Sequence, residues 1–311
     1  LYNQQLTNLN AAPFDYTNYT ANTNWQDLVL RDAIINTNNL SISNSGEKSS
    51  TLINLGYTYQ DGVLRNDNHQ RYLIRINQEM RLNKNIKIGG DLNGTFFKDN
   101  PPAGSITNAL WAAPIVPVRE SETVYYAMPS FQRAQVGNPV ANINRNDRTS
   151  VNQGFRVVGT LFGEVKFLRD FTWRSTVYTD LRFTSNRGYS ALPFEVINLG
   201  EGNAPTERFL DPFARTTVSQ QQGESRRFQQ DHTLTYAKNL GGGHSLTALA
   251  GYTSIYSYNQ FVGGSRRDTF VVVPNDPNFW YINIINANTP TFNNGGGSEN
   301  SIIGGFGRVQ Y

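Results

Sequence analysis

The 311 residues are 38% hydrophobic, 12% aromatic and only 16% charged, with a formal net charge of +3. A disordered chain would lack the 16 Tyr, 18 Phe and 4 Trp, and no apolar run of about 18 residues exists to form a membrane helix. The absence of cysteine excludes disulfide scaffolds and thiolate metal sites, and positive charge that is scattered rather than blocked argues against nucleic-acid binding.

The chain opens on Leu1-Tyr2-Asn3-Gln4-Gln5, which has neither the basic nor the apolar region of a secretory signal. It is read either as cytoplasmic or as part of a longer protein. A short first strand is predicted at 38–44 and a second at 51–60. From 71 to 82 the period of two is clear: Tyr72, Ile74, Ile76, Met80 and Leu82 share one face, while Arg75, Asn77, Glu79 and Arg81 share the other. Ile86, Ile88, Leu92 and Phe96 continue the pattern against Lys87, Asp91, Asn93 and Thr95. Strands at 155–167 and 171–183 follow; in the latter Phe171, Trp173, Val177 and Leu181 alternate with Arg174, Thr176 and Asp180. Weaker alternation marks 228–238, 246–258 and 301–311, for about nine strands in all.

Connections alternate in length. The segments 44–48, 83–85, 168–170 and 239–243 are hairpin turns, rich in Gly and Asn, which tolerate positive φ. Between them lie long connections at 98–152, 184–226 and 259–300, with 61–68 more modest. In an up-and-down meander this places every long loop at one end, the plan of outer-membrane barrels with short periplasmic turns and long extracellular loops. The expected fold is therefore all-β, an antiparallel up-and-down transmembrane β-barrel, present in part. Its apolar face would meet the lipid bilayer. Its polar face would line the lumen with Arg75, Glu79, Lys87, Asp91, Glu164, Arg174 and Asp180. The alternative is a β-sandwich or solenoid, although sandwich strands average about five or six residues and these are longer. Nine strands cannot close a barrel that needs an even number, so the chain is expected to be incomplete at its C-terminus and, lacking a signal, at its N-terminus too.

Catalysis finds little support, and no metal or cofactor is expected. His69, His232 and His244 lie far apart without ligand spacing, and no nucleophile elbow or P-loop occurs. Asp91, Glu164 and Asp180 could pair in space for glycoside hydrolysis, but solvated lumen charge is the simpler account. Binding is more plausible in the long loops. Asn100-Pro101-Pro102-Ala103 leads into the stretch 109–119, where Trp111 stands beside Pro114, Ile115, Val116 and Pro117. Tyr125, Tyr126 and Phe131 follow, and Phe279-Trp280-Tyr281 forms a second cluster. Rings with a polar edge suit sugar faces, so Trp111, Tyr125, Tyr126, Phe279, Trp280 and Tyr281 are candidate substrate contacts. The duller reading is that they pack loops together.

An ordered set of motifs resembles the SusC/RagA family of TonB-dependent transporters. It begins with Asn24-Trp25-Gln26-Asp27, Asn39-Leu40-Ser41-Ile42-Ser43 and Glu47-Lys48-Ser49-Ser50, followed by the run from Leu55-Gly56-Tyr57 to Asp61-Gly62-Val63. Arg71-Tyr72, Leu82-Asn83-Lys84 with Ile88-Gly89, Gly251-Tyr252 and Phe306-Gly307-Arg308-Val309-Gln310-Tyr311 complete it. The resemblance implies a barrel of about 22 strands closed by a plug. It also implies active import of bulky nutrients, oligosaccharides or peptides, across the outer membrane. TonB would supply energy, and a SusD-like lipoprotein would cap the extracellular mouth. On this basis residues 1–35 are expected to be the end of the plug and the lead-in, and residues 36–311 the first part of the barrel. A passive porin and a secreted glycan-binding β-protein are the rival readings.

Overall fold

The computed structural model describes residues 2–101, 104–268, 272–284 and 291–311. Pro102 and Ala103 of the Pro-rich run lie outside the described residues. In chain order the chain begins with helices α1 (Tyr2–Asn8) and α2 (Trp25–Val29). Strands β1 (Ile35–Ser45), β2 (Ser49–Asp61), β3 (Asn68–Arg81) and β4 (Ile86–Asn100) follow. A long connection then holds α3 (Ile106–Trp111), β5 (Arg119–Ser121), β6 (Val124–Tyr126), α4 (Ser130–Arg133) and α5 (Pro139–Arg145). The hairpin β7 (Ser150–Phe167) and β8 (Phe171–Ser190) precedes two short strands, β9 (Glu195–Asn198) and β10 (Glu207–Phe209). Three long strands complete the fold: β11 (Thr217–Gly241), β12 (His244–Arg267) and β13 (Thr291–Gln310).

Nine of these form one antiparallel meander in the order β1-β2-β3-β4-β7-β8-β11-β12-β13. The strands are those the alternation predicts, and the sheet is a section of transmembrane barrel wall. Among the described residues it has no second layer, unlike a sandwich. Ile74, Leu161 and Ile303 on its apolar face are 43%, 70% and 71% exposed, and the register sets aromatic rings in rows along that face. Tyr57, Tyr72 and Phe96 are cross-strand neighbours with ring centroids 5.0 and 6.2 Å apart. Phe167, Phe171 and Tyr236 make a second row nearer the short turns, with spacings of 5.7 and 4.9 Å. Such rows are the girdles that anchor barrels at lipid–water interfaces.

The strands are longer than the alternation implies, and the excess lies at the long-loop end. β11 runs for 25 residues rather than starting at 228, because Gln220, Gln222, Glu224 and Arg226 make its outward face polar above the apolar band. Hairpin turns close the other end. Gly241, Gly242 and Gly243 all have positive φ, and the Asn83 Oδ1 accepts from the amides of Asn85 and Ile86.

A cap built from the long connections and the N-terminal segment covers the long-loop end, and nearly all the buried apolar residues are there. Tyr19, Trp25 and Val29 pack with Ala109, Val116, Met128, Val136 and Ile143. A second cluster joins Tyr189 and Val218 at the strand ends to Val273 and Trp280. A four-stranded sheet in the order β10-β9-β6-β5, with β6 and β9 parallel, stiffens the cap. The N-terminal segment is bound into it by specific bonds. Trp25 Nε1 donates to the Ala113 carbonyl at 2.9 Å, Thr23 Oγ1 to Val116 at 2.6 Å, and Asn18 Nδ2 to Gly200 at 2.9 Å. Arg31 pairs with Asp61 at 2.8 Å and donates to the Asp67 carbonyl in the β2–β3 connection. The segment expected to end a plug thus sits with the long loops, and β1 starts from their side of the wall.

Candidate functional site

Strand alternation puts Arg75 and Glu79 of β3, Lys87 and Asp91 of β4, Glu164 of β7, and Arg174 and Asp180 of β8 on one face, opposite the apolar band. Most are engaged with one another. Lys87 Nζ lies 2.8 Å from Glu79, and Arg174 lies 3.6 Å from Glu164. Arg156 donates Nε and Nη2 to the two carboxylate oxygens of Asp180, at 2.8 and 2.6 Å. The Phe162 ring sits among these charges, with the Arg174 guanidinium 4.0 Å and the Lys87 ammonium 5.5 Å from its centroid. Paired and wetted charges of this kind form a polar wall rather than a pair of poised catalytic carboxylates.

The loop aromatics divide by burial. Tyr125 is 1% exposed, packs at a tilt on Phe194 with ring centroids 4.8 Å apart, and its hydroxyl accepts from Asn144 Nδ2. Tyr126 packs against the main cap cluster. Trp280 is fully buried, stacks on Tyr189 at 5.6 Å and donates to the Pro274 carbonyl. These three are cap core, because residues this large provide much of the apolar volume around which the long connections order. Trp111, Phe279 and Tyr281 remain open, at 61%, 42% and 44% exposure, and the Arg187 guanidinium lies 4.9 Å from the Tyr281 centroid. The two open clusters belong to different loops, with no ring contact between them among the described residues.

The histidines are scattered. His69 pairs with Asp99, His232 stacks between Trp173 and Tyr252 on the apolar face, and His244 meets Tyr311 at the short-turn end. Among the described residues no cluster of three or more His, Asp or Glu side chains could hold a metal ion.

Two features of the long-loop end escape a reading of motifs. The first is the knot around Glu201, whose carboxylate accepts from the Tyr19 hydroxyl at 2.6 Å and the Ser130 amide at 2.9 Å, with Arg133 at 3.8 Å. Burial alone would raise the Glu201 pKa, but the bonds from Ser130 and Tyr19 and the Arg133 charge hold it below its ordinary value. Burial, then the bond to Glu201, pushes the Tyr19 phenol well above its ordinary value. The second is the Asn-, Gln-, Ser- and Gly-rich upper part of β7–β13. It shows no apolar alternation for a sequence pattern to detect.

No family model matches the chain. It is 24% identical over 240 residues to TonB-dependent receptor P26 of Formosa agariphila, covering 77% of this chain and 23% of that protein. It is 29% identical over 113 residues to TonB-dependent receptor SusC of Bacteroides thetaiotaomicron, covering 34% of this chain and 11% of SusC. In backbone it matches the RagAB peptide importer in its closed-closed state with a TM-score of 0.73 at 16% identity, covering 96% of this chain and 32% of that one. The chain thus spans between about a tenth and a third of the length of these relatives. In sequence and in fold the chain is thus similar to a stretch of the SusC/RagA-like TonB-dependent transporters.

Proposed function

We propose that this chain supplies part of the barrel wall and outer cap of a TonB-dependent importer of bulky nutrients in the outer membrane. The observation that carries the reading is a nine-stranded wall with an uncovered apolar face, a charged opposite face and a large cap at one end only. In this reading lipid covers the Ile74 face and the polar face lines the lumen. The cap is extracellular, because long loops of such barrels face outward. Residues 36–311 are wall with its loops. Residues 1–35 belong to the extracellular cap, and their packing on Ala113, Val116 and Gly200 favours this over the end of a plug. Trp111, Phe279 and Tyr281 are the cap aromatics placed to meet a substrate or a SusD-like lipoprotein.

Oligosaccharides are the favoured substrate class. Peptides are the second, favoured by the backbone likeness to a peptide importer. The deciding experiment is uptake by cells carrying the intact protein, with and without TonB. Uptake that stops when TonB is deleted supports the importer. Undiminished uptake indicates a passive porin.

A further inference from the structure

We propose that the upper polar face of β7, β8, β11, β12 and β13 is a trough that binds an uncharged oligosaccharide. The proposal deepens the import reading and rests on its assignment of this face to the lumen. The register aligns three rows of inward positions near the long-loop end. The first runs Ser150, Gly188, Ser219, Ser265, Phe292. The next runs Asn152, Asn186, Gln221, Gly263, Asn294, and the third Gly154, Thr184, Gly223, Phe261, Gly296.

No Asp, Glu, Lys or Arg occupies these rows, whereas the next row down begins with Arg156 and Arg182, and Asp180 stands below. The change from charge to amide is abrupt, and two adjoining concavities of about 600 and 470 Å³ that share Asn186 span it, the first reaching Arg182 and Glu224 and the second touching Arg187. Each volume is in the range of small-ligand sites.

The chemistry suits a sugar. The side-chain amides of Asn152, Asn186, Gln221 and Asn294 make no side-chain hydrogen bond among the described residues, so both their donors and acceptors are free for a ligand. An amide that donates and accepts matches hydroxyls that do both. Phe261 and Phe292 are 42% and 67% exposed and offer ring faces to the C–H side of a pyranose. Glycines keep the floor low: a Cβ at Gly223 would lie 2.8 Å from Thr184 Oγ1, and one at Gly263 2.6 Å from Asn294 Oδ1. The three rows themselves offer a charged ligand no counter-charge, the charges on the lining being Arg182 and Glu224 in one concavity and Arg187 in the other.

The test is binding by the intact detergent-purified protein that carries this chain. The probes are cellohexaose, xylohexaose, maltohexaose and laminarihexaose, set against a hexagalacturonate and a hexa-alanine peptide. The Asn186→Ala/Gln221→Ala double variant and Phe261→Ala should each weaken the preferred neutral sugar about tenfold. Gln222→Ala, on the opposite face, should leave binding unchanged, and heat-modifiable migration on gels confirms that each variant barrel is folded. Wild-type affinity in both trough variants overturns the proposal, as does preference for the acidic sugar or the peptide, or no binding of any neutral probe. If the trough variants bind normally while uptake still needs TonB, the trough alone fails. If sugar binding is lost in the variants but wild-type uptake ignores TonB, the trough stands and the importer reading fails.

Discussion

Trp25 shows how much a single side chain contributes to the cap. It is 2% exposed, lies against the main apolar cluster and spends its indole N–H on the Ala113 carbonyl. Replacing it with Ala should cost about 3–5 kcal/mol of cap stability. The strand wall should be untouched, so hydrogen exchange is expected to accelerate in 2–34 and 104–145 but not in β7–β12. Glu201 gives the cap a pH dependence whose sign follows from its lowered pKa. The bonds it accepts contribute fully above its ordinary value of 4.5, and that contribution fades as pH falls through the lower folded value. Trp fluorescence on acid titration should therefore report cap loosening below about pH 4.5, and Glu201→Gln should flatten that part of the curve. Neither role was legible in the sequence. Asn24-Trp25-Gln26-Asp27 stood out as a motif, yet its partners lie 88 residues away along the chain. Tyr125 and Trp280 drew attention as exposed-loop aromatics for the same reason: sequence reveals the ring but not what covers it.

At the scale of the element, the alternation of residues was a faithful guide where lipid covers one face and lost force where water wets both. Ile76 stands between Ile53 and Leu92 across its neighbours, midway between the Tyr72 row and the short turns. Ile76→Arg should destabilise the barrel by about 2–4 kcal/mol in lipid, as expected for a cation near the midplane. Asn77→Arg, one residue on and facing the other way, should cost far less, and urea unfolding in liposomes measures both. The same physics explains the misplaced strand starts. In β11 the residues from Gln221 to Arg227 carry polar side chains on both faces, so selection for an apolar stripe is relaxed and no period of two survives. Hydrogen bonding to β8 and β12 continues regardless of side-chain polarity. The short cap elements, such as the three-residue strands β5, β6 and β10, depend on tertiary pairing and left no local signature.

At the scale of the whole molecule, sidedness is the claim most open to test, and the chain is convenient for it because it contains no cysteine. Ala12→Cys in the N-terminal segment and Leu240→Cys beside the β11–β12 turn place one thiol at each end. On intact cells an impermeant maleimide should label Ala12→Cys and leave Leu240→Cys unlabelled until the membrane is opened. Equal protection of both positions would return the N-terminal segment to the periplasmic side. The ordered motifs made the barrel plan readable from one end of the chain to the other. They did not reveal that this segment packs with the long loops, because a motif's order along the chain does not say which end of the wall it occupies.

The gradient in strand length has a consequence for how cargo arrives. β1 has 11 residues and β11 has 25, so at about 3.3 Å per residue they extend about 36 and 80 Å. Tilted by about 40°, the short strand little more than clears an apolar band of about 25 Å, while the long one rises about as far again beyond it. The upper edge of this stretch of wall is therefore uneven, high on the β8–β13 side and low beside β1. In the import reading, whatever crosses the low side meets the tall flank broadside, so its first encounter with this chain is oriented before any specific bond forms.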